Sequence, residues 1–557
     1  MQAVILAGGK GTRLAERLNG RPKPLIDVAG IPLMQRQLET LQSHGVDDFV
    51  VLVNHAADQI ERFLTQLNAK SKISLIDDGE PRGTAGATLA CLGRLSDRFI
   101  VAYGDTLFDI DIAHMVAAHE ASGADATLLL HPNDHPADSD LVEIDEDNRI
   151  TGFHPYPHPA DLVARNLVNA AFYIVEKAAL EPYALRTDLP DFAKDLFPAM
   201  VEAGAKLHGY VSFEYIKDLG TPKRLDKVEK HFVTGTVERA RRRHPQKAVF
   251  LDRDGTLNKL RDYVRKPDDL DLLPNAAEAV RSLNNAEYRA VLVTNQPVLA
   301  RGECDPATMR DIHAKLETEL GRHGAYLDGV YLCPHHPHGG FAGEVPELKI
   351  ECRCRKPATG MIDRAVSEMN ISPSQSWFIG DSTGDMLAAH RAGLFSILVQ
   401  SGERGEDKRW PCHPDFVVAD VFVAARLITE TFPLIQQGTD AIAEAVSAGD
   451  LMLVAGRSSA ARRGVAAALR QALRGRGLAA VTTSAEAPNG HYAELEPGDV
   501  LIVEGEDAFR FNAPTGQPVR RIRVDMPDAP SPTEQGGAVD TADHVIRLAD
   551  RFDEGIV

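Results

Sequence analysis

The sequence predicts an α/β protein of three tandem domains, each built on a mostly parallel sheet, and three observations carry this. Three short β-rich apolar runs each lead into a turn of small or polar residues: QAVILAGGKGTR, KAVFLDRDGT and LMLVAGRSSAARRG. Each run is followed by alternating strand-like and helix-like segments, as in stacked βα units. A chain of 557 residues also exceeds a single hydrophobic core, and typical domain sizes ask for about three or four units. The domains are placed at 1–233, 246–432 and 440–557. Between the first two, the basic stretch TGTVERARRRHPQ lacks apolar alternation and reads as a linker or as a helix with a solvated face. PLIQQGTD, over 433–440, marks the second break.

Composition narrows the function classes. The chain is 44% hydrophobic and 25% charged, with no apolar run long enough to cross a bilayer. Charged residues follow the first strand-like segment at once, which is unlike a secretory signal. A cytoplasmic protein without a membrane partner is expected. Lysine and arginine number 61 against 80 acidic residues, a formal charge of −19, which argues against general nucleic-acid binding. Small phosphorylated ligands remain compatible, because local cations, backbone N–H groups and a metal hold them. Of six cysteines, four lie between Cys304 and Cys354, a grouping that points to a metal rather than to disulfides. Whether the chain forms a homo-oligomer is left open.

In the first domain, Gly8, Gly9 and Gly11 directly follow a strand, so backbone N–H groups can approach phosphate oxygens closely. Thr12 and Arg13 continue the turn, and RPKPL supplies Lys23 between two stiffening prolines. EPRGTAGATL, with Gly83, can close over a base or sugar. FIVAYGD ends a strand on Asp105, at the carboxyl end where open α/β sheets place ligands, and an acid there suits magnesium; Asp218 in KDLGTP is a second candidate ligand.

Taken in order, AGGKGTRL, PKPL, GTAG, YGD, NAAFYI and DLGTP resemble the sugar-1-phosphate nucleotidyltransferases, over roughly residues 1–232. The resemblance implies a Rossmann-like fold. It implies in-line attack by a sugar 1-phosphate on the α-phosphorus of a nucleoside triphosphate, with GTP first by analogy to the guanylyltransferases. Arg13 and Lys23 would neutralise developing charge, Asn169 of NAAFYI would meet substrate, and Asp105 with Asp218 would hold magnesium. One departure is marked: where the family has Glu-Lys-Pro after RITGF, this chain has His154, Pro155, Tyr156 and Pro157. Either another cation, Lys194 or Arg165, replaces the lysine, or the domain is weakened or altered in substrate.

In the second domain, AVFLDRDGTLN sets Asp252 and Asp254 two residues apart at the end of an apolar strand. Buried carboxylates are costly there, which favours catalysis or metal over packing. One aspartate can take a phosphoryl group as an acyl phosphate while the other moves protons. VLVTNQ ends the next strand on Thr294, CRKP offers Arg355 and Lys356, and FIGDSTGDM carries Asp381 and Asp385. These pieces resemble the haloacid dehalogenase superfamily over about 246–430. The resemblance makes Asp252 the nucleophile and Asp254 the acid/base, with Thr294 and Lys356 on the phosphoryl oxygens. It places magnesium on Asp252, Asp381 and the Asp254 carbonyl, supported by Asp385, and puts Asn295, Arg301 and Arg355 on substrate.

CPHHPHGGFAGEVPELKIECRC contains a Cys-x-His and a Cys-x-Cys separated by 16 residues. Cys333, His335, Cys352 and Cys354 form a soft four-ligand set suited to closed, structural zinc, with His336 and His338 read as loop residues. Such a clip followed at once by RKP resembles the D-glycero-D-manno-heptose 1,7-bisphosphate phosphatases and the related histidinol-phosphate phosphatases. TNQPVLARG departs from the usual Ser-Gly-Ile after TNQ, and Ser382 stands where a lysine or arginine is frequent, which leaves the substrate less determined than the chemistry.

LMLVAGRSSAARRGVAAAL has the strand, turn and helix of a phosphate-binding loop, and DVLIVEGEDAF, with Glu504, resembles the acidic strand of uridine-kinase-like P-loop proteins. Arg462 and Arg463 replace the lysine and the hydroxyl residue, so a degenerate, structural or regulatory domain is expected. The combined reading is a bifunctional enzyme of nucleotide-activated heptose synthesis, using magnesium and zinc, a phosphorylated sugar and a nucleoside triphosphate. Its rivals are a histidinol-phosphate-type phosphatase joined to a nucleotidyltransferase, and a phosphatase joined to a non-catalytic sugar-nucleotide sensor.

Overall fold

The structure is a computed structural model that describes residues 1–433 apart from 10, 68–70, 160, 412 and 413, and beyond them 435, 436, 439, 451–455, 459–475, 480–484, 500–504, 519–525 and 544–547. It divides into two compact units, 1–246 with 313–328, and 247–312 with 329–557.

The first unit is built on a nine-stranded sheet. Four parallel strands run in the order Lys72–Asp77, Asp48–Val53, Gln2–Leu6, Arg98–Tyr103. Their near-continuous apolar sequence follows from burial on both faces: Val4, Val50 and Val101 enter one core, Ile5, Val51 and Ala102 the other. Val168–Glu176 pairs antiparallel with Arg98–Tyr103 and with Ala126–His131, which in turn pairs parallel with Leu207–Val211. Successive strands fall on opposite sides of Gln2–Leu6, so the strand order reverses beside Arg98–Tyr103 and opens a crevice at the carboxyl ends. A two-stranded ribbon, Thr106–Asp109 with Tyr215–Asp218, lies just past that crevice and opposes Thr106 to Asp218. Gln37, on helix Leu33–Ser43 and 1% exposed, donates to the Tyr103 and Thr106 carbonyls at 2.8 and 2.7 Å and satisfies the backbone where it turns at Asp105.

The basic stretch after residue 233 contains a short helix, the second of the two readings left open for it. Helix Thr236–Arg239 begins there, and Val237 and Ala240 are buried with Leu225 and Val228. Arg241 Nε reaches Asp109 at 2.7 Å. Two apolar residues three apart suffice to seat a short helix in an otherwise charged run.

The second unit contains a six-stranded, fully parallel sheet in the order Gly329–Cys333, Arg289–Asn295, Ala248–Leu251, Trp377–Gly380, Phe395–Val399, Phe416–Val418. Ala248–Leu251 is central and wholly buried, and strand order reverses beside it as well. A further parallel sheet runs Ala480–Ser484, Val500–Glu504, Leu451–Ala455, Val519–Asp525, His544–Arg547, with helix Ser459–Gly475 after Leu451–Ala455. The turn at 456–458 and the side chains of Arg462, Arg463 and Glu504, on which the phosphate-loop expectation rests, lie outside the described residues. Among the described residues no helix is long and apolar enough to cross a membrane.

Candidate active sites

The crevice of the first unit is a cavity of about 430 Å³. Gly8, Gly9, Gly11, Thr12 and Arg13 line it from the loop after Gln2–Leu6, joined by Lys23, Gly83, Asp105 and Gly220. Lys23 is 8% exposed, and its ammonium lies 2.5 Å from Asp105 Oδ2. Gly83 has φ +74°, and a Cβ there would lie 2.3 Å from the Pro190 carbonyl oxygen, which accepts the Ala85 N–H at 2.9 Å. Only glycine lets these segments meet. Asp218 stands beside Asp105: the Leu219 N–H donates to the Asp105 carbonyl at 2.9 Å, and Asp218 Oδ1 accepts from Gly220 N and Arg224 Nη1 at 2.8 and 2.9 Å. Burial would raise the Asp218 carboxyl, but Arg224, the Gly220 N–H and Lys23 together hold it below the usual range.

Three expected residues are placed less simply. Asn169 does not line this cavity; its Oδ1 accepts from Ala171 N at 3.2 Å. His154 pairs with Glu143 at 2.7 Å. Of the two replacement cations, Arg165 faces the buried Glu317 at 3.5 Å, whereas Lys194 Nζ donates to the Tyr156 carbonyl at 2.9 Å, on the divergent segment itself. The sequence reading missed Asn54, Asp78 and Arg82, which also line the cavity. Asn54 and Asp78 each follow the carboxyl end of a parallel strand, the same positional signal that singled out Asp105.

The second unit gathers its carboxylates at the end of Ala248–Leu251. Ligand atoms of Asp252, Asp381 and Asp385 lie within 4.8 Å of one another. Lys356, 7% exposed, reaches Asp252 Oδ1 at 2.6 Å, Asp385 Oδ1 at 2.7 Å and the Val293 carbonyl at 2.9 Å. Asn295 fixes the Lys356 backbone from both sides, accepting its N–H at 3.1 Å and donating to its carbonyl at 3.2 Å. Asp381 Oδ2 accepts the Glu403 N–H at 2.7 Å, and the Ser382 hydroxyl donates to Asp385 Oδ2 at 2.7 Å within a helix-capping box.

Asp254 turns its carboxylate the other way. It accepts from Arg253 Nη2 at 2.9 Å and from Asn258 Nδ2 and Gln296 Nε2, both at 3.0 Å. Gln296 also donates to Thr294 Oγ1 at 2.8 Å. Burial pushes the Asp254 carboxyl up, but Arg253 and the two amides outweigh it and hold it below the usual range. Arg253, Asn258 and Gln296 lie inside motifs the sequence reading quoted, yet nothing in residue type alone announces a shared partner.

Burial and mutual repulsion raise the Asp252 and Asp381 carboxyls well above the usual range. Burial alone would lower Lys356, but Asp252 and Asp385 more than offset it and keep the ammonium charged. Two carboxylates share one lysine with Asp381 close by, so a divalent cation would supply the missing positive charge.

Cys333, His335, Cys352 and Cys354 converge, with ligand atoms within 4.8 Å of one another. The sulfurs are 3.2 to 3.6 Å apart, far beyond a disulfide, and His335 Nδ1 is 3.2 Å from Cys354 Sγ. Zn–S bonds of about 2.3 Å at tetrahedral angles put sulfurs roughly 3.7 Å apart, so the set needs little adjustment to hold that ion. Burial pushes the Cys333 and Cys354 thiols up, so their thiolates need a cation beside them.

Comparison with known proteins agrees with this division. A nucleotidyl transferase family model matches residues 2–234, and a HAD-hydrolase-like model matches residues 353–424. The D-glycero-beta-D-manno-heptose-1,7-bisphosphate 7-phosphatase of Haemophilus ducreyi is 41% identical over 160 residues, 28% of this chain and 85% of that protein. Among solved structures, HddC from Yersinia pseudotuberculosis complexed with GMP-PN is 26% identical over 42% of this chain and 99% of its own, at a TM-score of 0.36. The D,D-heptose 1.7-bisphosphate phosphatase from B. bronchiseptica, complexed with magnesium and phosphate, is 32% identical over 33% of this chain and 98% of its own, at a TM-score of 0.29.

Proposed function

We propose, from the premise that the chain belongs to the D-glycero-beta-D-manno-heptose-1,7-bisphosphate 7-phosphatase family, that it removes the 7-phosphate of that sugar bisphosphate and then transfers a nucleotidyl group to the remaining 1-phosphate. The observation that carries this is the buried Asp252–Lys356–Asp385 array with Asp381, set at a sheet's switch point.

Asp252 attacks the 7-phosphorus, forming an acyl phosphate as the bond to the sugar oxygen breaks. Asp254 has the acid/base role: it must take up a proton against the Arg253, Asn258 and Gln296 contacts that favour its ionised form, gives that proton to the leaving sugar oxygen, and accepts one from the water that releases orthophosphate. Thr294 and Lys356 hold the phosphoryl oxygens, and Asn295 keeps Lys356 in place. Magnesium, held by Asp252, Asp381 and the Asp254 carbonyl with Asp385 behind them, supplies charge neutralisation. Zinc on Cys333, His335, Cys352 and Cys354 is structural.

In the first unit, the loop from Gly8 to Thr12 cradles the triphosphate, with GTP as donor. Arg13 and Lys23 meet the charge developing at the α-phosphorus, and Asp105 with Asp218 holds magnesium. Lys194 serves the sugar phosphate in place of the family's lysine, since its ammonium already touches the divergent segment.

Incubation of the purified protein with heptose 1,7-bisphosphate, magnesium and each of four nucleoside triphosphates tests the proposal. Equal amounts of orthophosphate, pyrophosphate and nucleotide-linked heptose are expected, with GTP best. Orthophosphate without pyrophosphate would make the first domain a binding module, and faster turnover of histidinol phosphate would displace the heptose substrate.

A further inference from the structure

The segment that opens with Pro155, Tyr156 and Pro157, where the chain lacks a Glu-Lys-Pro, is an excursion closed at its base. Asp140 grips both ends: its Oδ1 accepts the Tyr156 N–H at 2.7 Å, and its carbonyl accepts the Asn169 N–H at 3.0 Å. Lys194 adds a hold on the Tyr156 carbonyl. Residues 161–167 belong to no helix or strand, so their backbone N–H and C=O groups must find partners elsewhere.

Those partners come from a distant part of the chain. The first unit takes in residues 313–328, which include the carboxyl-terminal half of helix Pro306–Gly321. In sequence that helix lies within 246–432, the phosphatase span. Glu317 is 4% exposed, and its Oε2 accepts the Asn166 N–H at 2.8 Å while Oε1 faces Arg165 Nε at 3.5 Å. The Thr318 hydroxyl donates to the Ala164 carbonyl at 3.0 Å and accepts the Ala164 N–H at 3.2 Å. Asn166 passes the grip on, since its Nδ2 donates to the Asn133 carbonyl at 2.8 Å and its Oδ1 accepts the Asn133 N–H at 3.2 Å. A Cβ on Gly321 would lie 2.7 Å from Pro136 Cγ, so the helix also closes on the turn that follows Asn133. Glu317 and Gly321 are four apart and share a helix face with which this joint is made. A buried carboxylate is costly unless its oxygens are hydrogen-bonded, and here the segment supplies that bond. Arg165 is committed to the joint, which leaves Lys194 as the candidate cation for substrate.

We infer that Glu317 and Thr318 are positioning residues for nucleotidyl transfer: they fix the far end of the divergent segment, and through it the Tyr156 backbone that Lys194 holds, so that residues within the phosphatase span complete the sugar 1-phosphate subsite. This rests on the reading of Lys194 given above. The full chain, supplied with heptose 1-phosphate, GTP and magnesium, tests it through the KM of each substrate. Glu317→Ala is expected to raise KM for heptose 1-phosphate about tenfold, the loss typical of one hydrogen bond to a charged group, with KM for GTP within about twofold of wild type. Glu317→Gln, which keeps an oxygen for the Asn166 N–H, should restore most of that loss. Amide exchange gives a readout independent of turnover: peptides covering 161–167 should exchange several-fold faster in Glu317→Ala, with strand Gln2–Leu6 unchanged. Should Glu317→Ala not fold, Thr318→Val removes the Ala164 contacts without removing a charge and carries the same expectations. Equal rises in both KM values, or unaltered exchange at 161–167, would overturn the inference. A wild-type KM for heptose 1-phosphate in Lys194→Met would instead overturn the Lys194 reading, with exchange at 161–167 still deciding whether Glu317 holds the segment.

Discussion

At Lys356 one ammonium contacts two carboxylates, with a third close by, and the arrangement is electrostatically short of positive charge. Such a centre trades stability for chemistry, because buried like charges oppose folding until a cation joins them. Asp252→Asn should therefore have two effects of opposite sign. Phosphate release should fall by roughly three orders of magnitude or more, since the amide is no nucleophile. Without metal, however, the variant should melt at or above the wild-type temperature, because one of three crowded carboxylates is gone while Lys356 keeps Asp385. Phosphate assays and thermal melts in chelator check both, and wild-type turnover by the variant would refute the nucleophile assignment. At this scale the sequence is informative where residue type alone carries chemistry: Asp252, Asp105 and the cysteines stand out by kind and by place on a strand or in a spaced pair. Arg253, Gln296 and Asn258 do not, because their role lies in sharing one carboxylate, and that requires coordinates.

Elements were legible where the hydrophobic pattern was long and uniform. The parallel strands in the sheet centres follow from apolar runs such as AVIL and VVLV, buried on both faces. The stretch after residue 233 left a linker and a solvated helix both open, because its many arginines hide the two apolar residues that seat helix Thr236–Arg239. The Cys/His segment lies between these cases: its four ligands are plain in the sequence, but the backbone contact of Gly343 with Gly302 is not. Cys352→Ser should lower bound zinc well below about one ion per chain, by elemental analysis of protein purified without chelator, and should lower the melting temperature of the second unit. Wild-type protein free of zinc would remove the structural-metal assignment.

For the whole molecule, the chain is an enzyme with both nucleotidyltransferase and phosphatase activities, and each candidate site lies within its own unit. At a net charge of −19, each candidate site draws on a few local cations: Arg13 and Lys23 line one, and Lys356 pairs with two carboxylates in the other. On the proposed reading the phosphatase must spare the anomeric phosphate, because the nucleotidyltransferase needs it as its nucleophile. Asp105→Ala separates the two steps. It removes the carboxylate beside Lys23 and with it a proposed magnesium ligand, so charge at the α-phosphorus loses much of its stabilisation. Given heptose 1,7-bisphosphate, magnesium and GTP, the variant should release orthophosphate at the wild-type rate and accumulate heptose 1-phosphate, with pyrophosphate reduced by roughly a hundredfold or more. Asp252→Asn should show the converse, forming pyrophosphate only when heptose 1-phosphate is supplied. Unchanged pyrophosphate formation by Asp105→Ala would leave the metal to Asp218, or move it to Asp78, which lines the cavity; these are the next to test.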